Sequence, residues 1–395
     1  MIATNITRLN KALNANGAES FLAPMKKYLL LFCAFAILTG CEDDAPIDDV
    51  TNADREVMLR SLAENVIVPG FAQLNADAVA LNSAVIALNA TPSQTTLVAA
   101  QNAWLKIAKA WKRLEVYQQG ILDVEHPDSL IHKIDIGSGD FTKRTEPTDT
   151  NALNVAIAGL HANAQTYVES MPATLQGLTT MEHLLFTGGT DAVLARLANN
   201  NAKSYLEGLT ASVVARTARI ANAWDPANGN FSKSFAENYG NDIGSSLGML
   251  INDMITIAEV IKNEKISRPM GLTPERVEAR PSEQSIAMIV ENINGLETAF
   301  TADADSRTGK GIDDVLRSID AKVGDQDLVD AVMTQFDRIR ASAGEINAPL
   351  HIAVTTERAK VTDLLNQVLT LIKLLKADVM VELGVMLTGF EGDGD

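Results

Sequence analysis

The sequence predicts an all-α fold of two packed helical bundles, and three observations carry that reading. Apolar residues recur at three- and four-residue spacing through most of the chain, as helices with one buried face require. Alternating apolar runs closed by Asn-Gly or Asp-Gly, the mark of hairpins, are nearly absent. Hydrophobic residues make up 46% of the 395 residues but aromatics only 5%, so the core is expected to be aliphatic.

The first elements concern export. Residues 1–24 have no role in a signal, and translation is expected to begin at Met25. Lys26 and Lys27 precede an apolar run from Tyr28 to Leu38, which ends in Leu38-Thr39-Gly40-Cys41. A charged start, a short apolar run and small residues at the cut make residues 25–40 a secretory signal. A run of about eleven apolar residues is too short to cross a ~30 Å hydrocarbon core as a helix. Leu-Thr-Gly-Cys resembles the bacterial lipobox, whose cysteine is lipidated and becomes the first mature residue. Cys41 is then the lipidation site that ties the mature chain to a membrane. Residues 41–52 follow as an acidic, solvated tether. The expected location is the bacterial cell envelope, lipid-anchored and facing the periplasm or the outside. Glu42, rather than Asp, after the cysteine leans towards the outer membrane by the enterobacterial sorting rule.

The helical body comes next. Helices are expected over 54–89, 93–120, 150–169, 189–223, 232–264, 283–300, 326–344 and 348–378. Thr91-Pro92-Ser93-Gln94 opens the second, with Ser93 as its cap. Trp104, Ile107, Ala108, Trp111 and Leu114 form its apolar stripe. Ile243, Leu247, Leu250, Ile251, Met254 and Ile261 form another, and Val361, Leu364, Leu365, Val368, Leu371, Ile372, Leu375 and Val379 a third. Pro172, Asp225-Pro226 and Pro281-Ser282 mark starts or breaks, and Asn228-Gly229 sits in a helix–helix loop. Residues 121–149, 170–188, 265–282 and 301–325 are less regular. The stretch 265–282, with three prolines, is read as the crossover between a first bundle, 53–268, and a second, 269–395.

Charge and cysteine content exclude several functions. The net charge is −17, and removing residues 1–40 takes away four basic residues and one acidic, leaving −20. Phosphate backbones repel such a chain, so nucleic acid is excluded as a partner. A metal cation or cationic ligand is electrostatically easier. The two cysteines are Cys33, inside the signal, and Cys41. The mature body therefore has no thiol pair, thiolate metal ligand or cysteine nucleophile.

Three segments carry more chemistry than helical packing needs. Trp111-Lys112-Arg113-Leu114-Glu115-Val116-Tyr117 sets charge among aromatics. Gly177-Leu178-Thr179-Thr180-Met181-Glu182-His183 leads into Leu184-Leu185-Phe186. Pro281-Ser282-Glu283-Gln284-Ser285, continuing to Asn292 and Gly295, puts small polar residues at a helix start and along it. Together they resemble the imelysin family of bacterial periplasmic and outer-membrane proteins. Trp111, Arg113, Glu115, Tyr117 and Gly120 match its Trp-x-Arg-x-Glu-x-aromatic-x-x-Gly segment. Gly177, Glu182 and Leu184-Leu185-Phe186 match its Gly-x-His-x-x-Glu hallmark and tail, but Thr179 stands in the histidine position. Pro269-Met270-Gly271-Leu272 resembles its Pro-x-Gly-Leu crossover, and Ser285, Asn292 and Gly295 match its later positions less tightly. The likeness runs from about 55 to 388.

The resemblance implies two bundles with a site between them, a metallopeptidase classification, and an association with iron uptake. In that site Glu115, Glu182, Asp135 and His183 are the candidate metal ligands. Arg113, Thr179, Ser285 and Asn292 are the candidate ligand-binding residues, with Arg113 orienting a carboxylate. The implied cofactor is a divalent or ferric ion. A threonine hydroxyl is a poor metal ligand at neutral pH, and no His-Glu-x-x-His occurs, so zinc peptidase chemistry is disfavoured. His126 and His132, with Asp123, Asp128 and Asp135, form a second possible cation cluster.

Each residue also has a plainer reading. Glu115 and Glu182 can be buried carboxylates paired with Arg113 or another cation, and Ser282 and Ser285 can be helix-start residues. Three functions stay open: an envelope protein binding a metal ion or metal-associated ligand between the bundles, a metallopeptidase, and a non-catalytic scaffold contacting another envelope protein. A polar cleft around Glu182 favours the first two, and a filled apolar interface the third.

Overall fold

The computed structural model describes residues 51–117, 133–135, 148–161, 163–271, 273–303 and 309–387. Cys41, the signal, most of the tether, and His126 and His132 lie outside the described residues.

The chain enters its body through helix α1, Asn52–Ala90. Thr51 caps it reciprocally with Asp54, and a π-helical turn at Ala63–Ile67 interrupts it. By length and composition α1 could cross a membrane. Here Phe71, Leu74, Leu81 and Leu88 turn inwards and are fully buried. Ser93 caps α2 (Gln94–Leu114), as its sequence predicts. Trp104 and Trp111 both point into the core. Next come α3 (Thr150–Ala158) and α4 (Ala164–Glu169). They are followed by α5 (Gly177–Phe186), α6 (Gly189–Arg196) and α7 (Asn200–Trp224). α7 lies along α1, α1 along α2, and α4 and α5 fill in against α7.

After the Asn228-Gly229 loop and the short α8 (Phe231–Glu237), α9 begins at Ser246. Its α-helical part, Ser246–Val260, passes through a π-helical turn at Ile261–Ser267 into Arg268–Met270. A run of turns leads to α10 (Ser285–Thr301), then to α11 (Ile312–Ser318). A two-residue hairpin, Lys322–Val323 against Gln326–Asp327, closes on Gly324-Asp325. Helices α12 (Leu328–Gly344), α13 (Leu350–Thr356) and α14 (Arg358–Lys373) complete the fold. α14 continues through a π-helical turn at Leu374–Val379. α12 packs on α14 and α10, and α9 on α14 and α10.

The bundles meet where α10 crosses α2. Gly295 makes that crossing possible, because a Cβ there would collide with the backbone oxygen of Arg113. One continuous aliphatic core results, with Leu, Ile and Val the commonest buried residues.

The fold class is as the sequence predicts, and several boundaries differ. Stretches 170–188 and 301–325 hold α5 and α11, whose apolar periods are too short to stand out beside neighbouring turns. The segment expected to start at 265 is helical as far as Met270, since Pro269 sits in the first turn of the last helical segment and leaves the ladder intact. Ile243 is exposed and precedes the Ser245 cap, so it does not join the α9 stripe. The expected helices 150–169, 189–223, 232–264 and 348–378 are each broken by a cap or turn. In the second, Asn199 caps α7 and separates it from α6.

Candidate functional site

Helix α5 is held from three sides. On one, Trp104 Nε1 donates to the Leu178 carbonyl at 2.9 Å and Gln101 Nε2 to that of Leu185 at 2.8 Å. From α7, Tyr205 Oη donates to Leu175 O at 2.9 Å, and Arg216 reaches Gln176 Oε1 at 2.9 Å and Lys133 O at 3.3 Å. From α6, Arg196 donates to the carbonyls of Leu184, at 2.7 Å, and Thr187, at 3.1 Å, closing the C-terminal end. The helix starts at Gly177, whose φ is +69°. A Cβ there would strike the Ile134 carbonyl, so only glycine lets the 133–135 segment lie against α5.

The carboxylate of Glu182 is buried on the middle of this helix. Ser282 donates to its Oε1 twice, from the backbone at 2.9 Å and from Oγ at 2.6 Å. Ala279 and Glu283, on either side of Ser282, both hold left-handed backbone conformations, φ +51° and +60°. Such conformations cost non-glycine residues energy and persist only where the surroundings impose them. Burial pushes the Glu182 pKa up to about 7, the Ser282 bonds pull against this, and nearby Glu278 and Asp135 push it further.

Glu182 opens into a cleft of about 350 Å³ shared with Thr150, Thr179, His183, Glu275 and His351. His183 Nε2 lies 3.5 Å from Thr150 Oγ1 and Nδ1 3.3 Å from Thr187 Oγ1. Burial and the Arg196 charge lower its pKa, which favours the neutral ring. The Nδ1 atom of His351 is buried with no hydrogen-bond partner among the described residues.

Behind the cleft lies a buried charge cluster. Lys112 Nζ sits among Asp135 Oδ2 at 2.5 Å, Glu278 Oε1 at 2.8 Å and Glu115 Oε1 at 3.2 Å. Lys265, in the π-helical turn, holds Glu278 Oε2 and Asn292 Oδ1, each at 2.5 Å. Asn292 Nδ2 donates to Glu115 Oε2 at 2.8 Å and to the Lys112 carbonyl at 2.9 Å. Ser285 Oγ donates to the Glu278 carbonyl at 2.5 Å. A void of only about 30 Å³ separates this cluster from Glu182 and Thr179. Room for one water molecule is all that volume gives.

The sequence-predicted residues thus fall into three places. Glu182, Thr179 and His183 share the cleft. Glu115, Asp135, Asn292 and Ser285 belong to the lysine cluster. Arg113 faces a different cavity and pairs with Glu291. The cation that pairs Glu115 is Lys112 and not Arg113. Sequence reasoning passed over Lys112, Lys265 and Glu278 as site residues. The one available signal was Lys112 between Trp111 and the aromatic-rich end of α2, where a charge facing inwards needs a partner.

An all-α protein of two bundles, with a polar cleft and a charged layer between α2, α5 and α10, is the class these observations define. The imelysin family profile matches residues 67–375, and the chain belongs to that family. It is similar to an imelysin-like protein from Psychrobacter arcticum 273-4, at 17% identity and a TM-score of 0.66 over 87% of this chain and 99% of the other. It is also similar to a candidate iron-regulated protein A precursor from Parabacteroides distasonis ATCC 8503. That match has 17% identity and a TM-score of 0.71, covering 85% of this chain and 96% of the other. No curated protein matches the chain.

The donor set of the described residues does not fit a resident metal ion. The three carboxylates that converge do so on an ammonium group, and Thr179 offers a hydroxyl where the hallmark has imidazole. Among the described residues, no three His, Cys, Asp or Glu side chains are placed to hold a metal together.

Proposed function

We propose that this imelysin-family chain is an envelope lipoprotein, anchored through Cys41, that binds a small positively charged ligand in the Glu182 cleft. Its cargo is a metal cation carried with its own waters or chelating groups, or an organic ammonium. The observation that carries this reading is Glu182 itself. It is a buried carboxylate at the base of a cleft, held by Ser282, and no basic side chain reaches it among the described residues. The exposed acids Glu275 and Glu283 on the same wall outnumber its one arginine, Arg280, and the threonine hydroxyls add hydrogen-bonding atoms. About 350 Å³ is within the range of small-molecule sites. An inner-sphere chelate needs several protein donors, but a ligand that brings its own shell needs one charge and several acceptors. A link of such a cargo to metal supply is supported by the name of the Parabacteroides neighbour, which is called iron-regulated. The open polar cleft counts against a pure scaffold, and Thr179 in the hallmark's histidine position, with the neighbouring carboxylates of the described residues held by Lys112, counts against a metallopeptidase.

Calorimetric titration of the purified protein with ferrous iron, zinc, hexaamminecobalt(III) and butane-1,4-diamine is the test. Hexaamminecobalt(III) cannot exchange its ligands, so its binding reads recognition of the outer shell, and the diamine is the organic arm. Binding of either, at least about tenfold weaker in Glu182→Gln, supports the proposal. Failure of both, or an affinity unchanged by Glu182→Gln, overturns it. Because Glu182 must be ionised to hold a cation, affinity rises as pH passes upward through about 7.

A further inference from the structure

Helix α1 is apolar on two sides. One is the core face of Phe71, Leu74, Leu81 and Leu88. The other looks outward: between Ala72 and Ala90 nine positions are exposed, and none of them is charged. The chain as a whole is 21% charged and carries a net −17, so this strip departs from the rest of the composition. The single charge in the interval, Asp77, is buried and held by Lys106 at 2.8 Å. A helix that is apolar all round belongs in an interior. Here α2 and α7 pack along α1, and the outward strip still has no cover among the described residues.

Ala72, Ala76, Val79, Ser83, Ile86 and Ala90 follow one another along this strip in alternating steps of four and three. That spacing is the seam of a coiled coil, on which a second helix packs. Val79 is 46% exposed and Ile86 49%, so neither is used up in the chain's own core. Ser83 Oγ donates to the Val79 carbonyl at 3.0 Å, so its hydroxyl can be covered without losing a partner. The order of side chains is also self-complementary. About a two-fold axis between Val79 and Ser83, an antiparallel copy sets Ala72 against Ala90, Ala76 against Ile86 and Val79 against Ser83. Each bulky side chain then meets a small one, and the symmetry repeats every contact.

We infer that α1 is a self-association surface: a second copy of this chain packs its own α1, antiparallel, along the Ala72–Ala90 seam. Charge points to the same occupant. Two bodies of like net charge repel each other, and an uncharged strip lets them meet without setting acid against acid. The seam is about 27 Å long. One helix pair of that length buries less than the ~1,600 Å² of a standard interface. The dimer is therefore weak in dilute solution, with a dissociation constant of about 10–100 µM. The surface is separate from the Glu182 cleft, so it stands or falls independently of the cation-binding reading.

The test is sedimentation velocity of the purified full chain from about 1 µM to about 1 mM. It carries Cys41→Ser, so that acyl groups play no part. The expected result is a monomer–dimer equilibrium that Ile86→Glu weakens at least about tenfold, because a charge then enters an apolar seam. Ile86 is exposed, so the melting temperature of that variant stays at the parent value and separates lost association from lost folding. Adding Ala76→Lys to Ile86→Glu is expected to restore the dimer, since the two new charges face each other only across the antiparallel seam. Positions 76 and 86 lie too far apart on one helix to pair within a chain. A monomer throughout, or a dimer unaffected by Ile86→Glu, overturns the surface. Loss without rescue overturns the antiparallel register. Binding of the monomer to phosphatidylethanolamine vesicles, abolished by Ile86→Glu, would assign the strip to lipid and overturn the dimer.

Discussion

At the scale of single residues, Glu182 and Lys112 show two fates of a buried charge. Glu182 is a carboxylate whose folded pKa, about 7, stands above its unfolded value. The folded state therefore holds the proton more tightly, and stability is fully present below the unfolded pKa and lost as pH rises towards and through 7. Glu182→Gln is expected to flatten the stability profile between pH 5 and 8. It should also raise stability at pH 8 by on the order of 2–3 kcal/mol, read from urea unfolding at each pH. Lys112 is the opposite case. Lys112→Met leaves Glu115, Asp135 and Glu278 facing each other and is expected to cost about 3–5 kcal/mol. Chemical denaturation measures that loss directly, and a change under 1 kcal/mol would refute the buried network as a structural unit. The sequence marks Glu182, Glu115 and Asn292 through motif resemblance, and Asp135 through its place in an irregular acidic segment. It could not tell which would meet a lysine, because the partners come from α2, the 133–135 segment and the turns before α10. Those contacts are set by the meeting of helices, and no local spacing encodes them.

At the scale of elements, apolar period was a good guide to helices and a poor one to their ends. The stripes of α2 and α14 were legible because each long helix buries one face continuously. Breaks such as Asn199 and Ser245 are side-chain caps, and a polar residue at a cap reads like any polar residue on a wet helix face. The short α5 was missed for a different reason: nearly all of its residues are buried, so no contrast between faces marks it. Its start at Gly177 yields a sharp prediction. Gly177→Ala places a Cβ at positive φ and against the Ile134 carbonyl, and is expected to cost about 2 kcal/mol or more. Loss of the Lys112–Asp135 contact should accompany it, visible as faster amide exchange in residues 133–135 and in α5. Normal exchange with full stability would mean the close approach does not exist in solution.

At the scale of the whole molecule, attachment is testable without knowing the ligand. Cys41→Ser is expected to move the protein from the detergent phase to the aqueous phase in a partition assay, with the melting temperature unchanged. Retention in detergent would remove the lipid anchor from the proposal. The chain is strongly negative, yet its buried cluster balances Glu115, Asp135 and Glu278 with two lysines of its own. That balance has a consequence for the proposed life in an envelope whenever free metal runs short. A site that borrows its counter-ion from the medium comes apart when the ion is stripped away. The ammonium groups of Lys112 and Lys265 are tethered to the backbone and cannot be taken. Prolonged dialysis against a strong chelator is therefore expected to leave the melting temperature where it was, and a drop would show that a borrowed ion shares the work. The body of this protein is built to keep its shape through starvation for the very cargo it is proposed to carry.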